Sequence, residues 1–167
     1  MRIRTAKLDD LSAILRLYRF LQPDDPVLDS NDTNVLVHWE QILANPNYRY
    51  ILVEEKKEIV STCVITLVEN LTRSMRPYAL IENVVTDPAF RNQGIGTKLL
   101  KAAVEIAWES DCYKVMLMTG SKREETIRFY KGAGFEKGIK TGFIAYPKKT
   151  KANQALQATS ASARRLS

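Results

Sequence analysis

Arg91, Gly94 and Gly96 stand within FRNQGIGTKLL (90–100), and helix-forming residues follow the second glycine at once. Two glycines one residue apart at such a junction mark a sharp turn or a close approach to a ligand, because glycine is otherwise a poor choice for ordered backbone. With a strand before it and a helix after it, the turn would present the first backbone N–H groups of that helix outward. They lie at the positive end of the helix dipole, which favours a phosphate or pyrophosphate. Two common phosphate loops fail on spacing. The dinucleotide fingerprint needs a third glycine where Leu99 stands, and the strand before the turn carries Glu82 where such folds are apolar throughout. The P-loop needs Gly-Lys-Ser/Thr, whereas Ile95 and Thr97 follow the glycines here. What remains is Arg-x-x-Gly-x-Gly between a strand and a long helix.

The rest of the chain must supply those elements. RIRTA (2–6) alternates as a strand, and Leu8, Leu11, Ile14, Leu15, Tyr18 and Leu21 then recur at helical spacing, with Asp9 or Asp10 as the cap. QPDDPVLDSND (22–32) reads as a loop, and 33–44 as a second helix closed by Pro46. YRYILVE (48–54) and EIVSTCVITLVEN (58–70) form an antiparallel pair, and YALIENVVT (78–86) follows the polar LTRSMRP. Leu99, Leu100, Ala103, Val104 and Ala107 make one apolar stripe on the helix after the glycine turn. YKVMLMT (113–119) is a strand, SKREETIRFYKGAG a short helix, and FEKGIKTGFIAY one or two closing strands. Helices crossing between strands in the second half imply an α/β fold, a mixed central β-sheet flanked by helices on both faces.

The 167 residues, 45% hydrophobic and 26% charged, suit one domain, taken here as 1–148. The remainder, 149–167, is small, polar and aperiodic and reads as a disordered tail. It also resembles translated recombination-site sequence at the ends of mobile integron cassettes. Three of the six net positive charges fall in 151–167, and the others are mixed with acids, so nucleic-acid binding is not expected. A modest basic bias suits an anionic, phosphate-bearing small molecule. No apolar run reaches the roughly 18 residues of a membrane span, and the N-terminus lacks the apolar stretch of a signal, so no membrane is involved and the protein is expected to be cytoplasmic. Cys63 and Cys112 sit in apolar segments as core residues, and no metal site is expected.

The glycine turn, the strand LIENVVTDPAF before it and the downstream RFYKGAGF together resemble the GNAT superfamily of acyl-CoA-dependent N-acetyltransferases. The family's pyrophosphate loop is Arg/Gln-x-x-Gly-x-Gly/Ala, and RFYKGAGF looks like its Phe-Tyr-x-x-x-Gly-Phe signature. The resemblance covers about residues 2–146. It implies acetyl-CoA as co-substrate and a pyrophosphate held by Arg91, Asn92, Gln93, Gly94, Ile95, Gly96 and Thr97. It also implies that the strand splays from its neighbour, so that the backbone of Asn83, Val84 and Val85 pairs with the pantetheine arm like an added strand. Many members carry an asparagine early in the helix before the distal tyrosine; this chain has SKREET, and Lys122, Arg123 or Lys131 would meet the nucleotide phosphates instead.

Acetyl transfer from a thioester to an amine requires loss of an amine proton, donors for the oxyanion and stabilisation of the departing thiolate. Glu82 is the candidate base, because a carboxylate in an otherwise apolar strand is expensive to bury and belongs at a cleft. Desolvation there is expected to raise its pKa. It acts on the amine directly or through water. The resemblance gives Tyr130 the role of acid toward the thiolate. In related glucosamine-phosphate acetyltransferases the matching strand reads Ile-Glu-Asp; here Asn83 follows the glutamate and the second carboxylate is missing. His38, the only histidine, reads as a packing or surface residue. Acceptor specificity is expected from 22–32 and 70–79. Asp24, Asp25, Asp29 and Asp32 would attract an ammonium, and Arg73 and Arg76 an anion. The acceptor is expected to be a small-molecule amine, with a protein amine as the other candidate and a homodimer through the C-terminal strands. The alternative reading is a non-catalytic acyl-CoA-binding module.

Overall fold

A computed structural model describes residues 1–147. Five strands form one sheet in the order β1-β2-β3-β4-β5: Arg2–Thr5, Tyr48–Glu55, Glu58–Val68, Tyr78–Thr86 and Val115–Leu117. The first four pair antiparallel, and β5 adds to β4 in parallel after a helical crossover. The helices are α1 (Leu11–Leu21), α2 (Thr33–Ala44), α3 (Ile95–Glu109) and α4 (Glu124–Gly132). The sheet is therefore mixed, and it is covered on both faces.

One face carries Ile51, Val53, Ile65 and Ile81 against Leu99, Leu100 and Ala103 of α3. The other carries Leu52, Ile59 and Val85 against Leu11, Ile14 and Leu17 of α1 and Trp39 of α2. Because β3 is buried on both faces, its sequence reads as a near-continuous apolar run. Asp32 caps α2, its Oδ1 accepting from the N–H groups of Asn34 and Val35 at 2.7 and 3.3 Å. The β2–β3 hairpin turns on Lys56 and Lys57, at φ 50° and 70°, the paired positive φ of a type I′ turn made without glycine or asparagine.

Three expectations need correction. Neither Asp9 nor Asp10 caps α1 through its side chain; Asp10 instead accepts from the Lys7 N–H at 2.7 Å and takes both ends of the Arg4 fork at 2.7 and 2.8 Å. β5 runs for three residues rather than seven. No closing strand forms over 135–147: Gly138 turns the chain at φ 86°, and the three-residue β5 offers little edge to pair with. The tail beyond residue 148 lies outside the described residues. Among the described residues no helix is long and apolar enough to cross a membrane.

Candidate functional site

β4 pairs with β3 along most of its length, but with β5 only through Ala79–Val115, Leu80–Met116 and Ile81–Leu117. From Glu82 to Thr86, its second edge has no strand beside it among the described residues. The strands part where the sequence comparison implied a splay. A bulge lies at the same place. Thr62 pairs with Val85 and Val64 with Glu82, so Asn83 and Val84 together oppose Cys63. Asn83 takes the extra turn at φ 54°, a conformation asparagine tolerates better than most residues. The bulge resets the alternation, so Ile81 and Val84 both pack on the α3 side while Val85 joins the α1 side. Ser61 is fully buried and donates to the Val85 carbonyl at 2.8 Å, fixing the strand end.

Beyond β4, Asp87 starts a short turn by accepting from the Ala89 N–H at 3.0 Å, and Arg16 of α1 donates to its other oxygen at 2.6 Å. Burial works against the Asp87 carboxylate, but the Ala89 N–H and Arg16 outweigh it and hold its pKa below the usual range. Arg16 also donates to the Ile59 carbonyl at 2.7 Å, so one guanidinium joins α1, β3 and the turn. Arg91 folds back, Nε donating to the Thr86 carbonyl at 3.1 Å, and Gln93 Nε2 donates to the Ala89 carbonyl at 3.2 Å. Asn92 and Gly94 both have positive φ, 59° and 74°.

The two glycines serve different ends. A Cβ on Gly94 would meet nothing within 4 Å, so this position is set by its left-handed backbone and by the open space before α3. A Cβ on Gly96 would lie 3.1 Å from the Phe129 ring and 3.2 Å from Thr86 Oγ1, so this position is set by packing of α4. Ile95 is buried in the core and offers only its N–H to the turn, and Thr97 is half-buried in the first turn of α3. The first-turn N–H groups of α3 have no intrahelical acceptor. A free strand edge leading to such a helix start fits an extended arm ending in a pyrophosphate.

Glu82 lies on the free edge and is exposed, so the desolvation expected of it is not found. Tyr130 is half-buried beside Phe129, with ring centroids 4.9 Å apart. Burial, and secondarily the Glu82 carboxylate, push the Tyr130 pKa up from 10, so the hydroxyl holds its proton at neutral pH. The Glu82 carboxylate thus acts on the Tyr130 hydroxyl through space, although the two are 48 positions apart in the chain.

On the α1 side of β4 lies an open cleft of about 560 Å³, lined among others by Leu15, Arg16, Tyr18, Arg19, Asp25 and, from the sheet, Asn83. Of the four acids expected around the acceptor, Asp25 lines this cleft, Asp32 caps α2, and Asp29 accepts from Asn31. Arg73 and Arg76 stand elsewhere: Arg76 Nε donates to Asp111 Oδ1 at 3.0 Å, and Arg73 lies 5.9 Å from the Tyr113 ring centroid. Lys122, Arg123 and Lys131 are exposed at α4, Arg123 pairing with Glu125 at 3.1 Å. His38 is exposed on α2 and both cysteines are buried, Cys63 with its thiol pushed up by burial to about 12. Among the described residues no group of three metal-ligating side chains gathers. Sequence reasoning did not single out Arg16, Ser61 or Tyr18. Tyr18 stood in an apolar stripe, where the signal was a hydroxyl that burial obliges to find a partner.

Residues 14–135 match the model of the Acetyltransferase (GNAT) family. Among solved structures, a putative acetyltransferase from Agrobacterium tumefaciens is 38% identical with a TM-score of 0.83, covering 88% of this chain and all of that one. A transcriptional regulator from Bacillus halodurans is 26% identical with a TM-score of 0.76, covering 87% of this chain and 99% of its own. Among curated proteins, glucosamine 6-phosphate N-acetyltransferase of Trypanosoma brucei brucei is 35% identical over 77 residues, 46% of this chain and 50% of that protein. The chain thus spans about half the length of that curated relative.

Proposed function

The chain belongs to the GNAT acetyltransferase family, and from that premise we propose that it transfers acetyl from acetyl-CoA to a primary amine by direct attack in a ternary complex. The observation that carries this reading is the end of β4–β5 pairing at Ile81–Leu117, with Glu82 on the freed edge and the start of α3 beyond it. Acetyl-CoA supplies the thioester. The free backbone of Asn83 to Val85 holds its arm and donates to the oxygen that becomes negative, and the turn from Arg91 to Thr97 holds its pyrophosphate through backbone N–H groups. The amine nitrogen forms its bond to the carbonyl carbon while Glu82 takes the amine proton, directly or through water. As the carbon–sulfur bond breaks, Tyr130 gives its proton to the sulfur.

The cleft lining carries both signs, Arg16 and Arg19 beside Asp25, while Arg73 and Arg76 lie outside it. A small-molecule amine is the proposed acceptor, and a protein amine is the second acceptor class. The transferase domain is taken as 1–148, and its use of acetyl-CoA suits a cytoplasmic enzyme. The apolar residues left uncovered in 135–147, with Phe143 93% exposed, support a homodimer formed through this segment.

The test is thiol release from acetyl-CoA across polyamines, amino sugars, aminoglycosides, amino acids and peptides, with Glu82→Gln and Tyr130→Phe alongside. Amine-dependent release by the wild type is expected, with kcat reduced roughly a hundredfold in each variant. Saturable CoA binding with no release for any amine would favour the non-catalytic binding module.

A further inference from the structure

Among the described residues the hydroxyl of Tyr18 is buried and has no hydrogen-bond partner. A buried hydroxyl left unsatisfied costs about 1–3 kcal/mol, so a small side-chain rotation that pairs it is favoured. Tyr18 packs in the same apolar cluster as Tyr50 and lines the same cleft as Asn83. Burial above all, then Tyr50, push its pKa well above the ordinary tyrosine value, while Asn83 acts in the opposite direction, so the group stays a neutral hydroxyl that can both donate and accept. Tyr50 is held in place by Trp39, edge to face at 4.9 Å between centroids.

Asn83 has the other half of the geometry. It sits in the bulge at φ 54°, directly after Glu82, is exposed, and is the only cleft-lining residue contributed by the sheet. Its carboxamide can therefore reach both Tyr18, which lines the same cleft, and a molecule held there.

Resting on the acetyl-transfer reading above, we propose that Tyr18 is a positioning residue: it accepts from Asn83 Nδ2 and donates to the Tyr50 oxygen, so that Asn83 Oδ1 faces the cleft and accepts an N–H from the acceptor amine beside Glu82. A primary amine then has one N–H held by Oδ1 and another directed to the base, which fixes the direction of its lone pair. The neutrality of the amide matters. A carboxylate in its place would favour the ammonium form, which has no lone pair to attack with.

The test uses the full chain with Tyr18→Phe, Asn83→Gly, which keeps the backbone freedom, and Asn83→Asp. Spermidine, kanamycin, glucosamine 6-phosphate and an alanyl peptide serve as acceptor probes, and CoA binding is titrated separately. Tyr18→Phe is expected to raise the amine KM about fivefold with CoA affinity unchanged, and Asn83→Gly roughly tenfold. Asn83→Asp is expected to move the acidic limb of kcat/KM toward higher pH, which a purely structural role would not do. Unchanged amine KM and pH profile overturn the proposal. An acceptor-free readout separates it from the transferase reading: the side-chain amide NMR signals of Asn83, assigned by their loss in Asn83→Gly. These should shift in Tyr18→Phe; if they do not, the Tyr18–Asn83 link is wrong whatever the enzyme acetylates, while absence of thiol release for every probe counts against acetyl transfer alone.

Discussion

The Phe129 ring lies where a side chain on Gly96 would have to go, 3.1 Å from the site of its Cβ, so the start of α3 and the face of α4 fit only because residue 96 is glycine. Gly96→Ala is expected to lower stability by roughly 1–3 kcal/mol through overpacking. It should also lower kcat, because Tyr130 follows Phe129 on α4. Gly94→Ala, with open space around it but a φ of 74°, should strain the backbone by roughly 1 kcal/mol and weaken CoA binding instead. Thermal unfolding beside CoA titration separates the two; matching profiles would show that the glycines share one role.

Tyr130 carries the second prediction. Because burial and then Glu82 raise its pKa above 10, the wild-type kcat should stay level through the ordinary tyrosine value and fall only above it. Tyr130→Phe should be slower and lack that alkaline fall. A wild-type rate that already declines at pH 9 through a group retained in Tyr130→Phe would assign the proton to another residue.

Asp10 provides a stability test away from the site. Its bond to Arg4, with burial opposing, holds its pKa below 3.8, so its contribution is complete above the ordinary carboxylate value and lost as pH falls through the folded value. Asp10→Asn should lower stability at neutral pH by roughly 2 kcal/mol, and the difference from wild type should shrink in acid. Denaturant melts at pH 7 and pH 3 read both.

The uncovered segment gives the fourth. Phe143→Asp should turn a dimer into a monomer in light scattering without unfolding the sheet. A monomeric wild type at micromolar concentration would remove the dimer from the proposal.

The glycine turn and the sheet around it were legible because they depend on local rules. Arg91-x-x-Gly94-x-Gly96 needs the backbone freedom of glycine, and the stripe from Leu99 to Ala107 needs a helix. Sequence could not reveal why each glycine was needed, since Phe129 meets Gly96 only after α4 has packed. Glu82 is out of place as a carboxylate in an apolar strand, but that β4 is freed from its neighbour at this residue depends on β5 stopping at Leu117, a tertiary fact. Asp10 has the residue type of a cap, but Arg4, six residues earlier on β1, claims it instead. The apolar alternation of FEKGIKTGFIAY suggested strands, but alternation alone supplies no partner edge.

The parting of β4 and β5 bears on how long the protein lasts. From Glu82 to Thr86 one edge of β4 has no strand beside it among the described residues, which leaves that part of the sheet less protected against local opening than its doubly paired centre. A ligand filling that seam stabilises the folded chain by an amount that grows with the logarithm of its concentration, about 2.7 kcal/mol at a hundred times Kd. Resistance to proteolysis would then follow the supply of acyl-CoA, and a well-fed cell would keep more of this protein than a starved one at the same rate of synthesis.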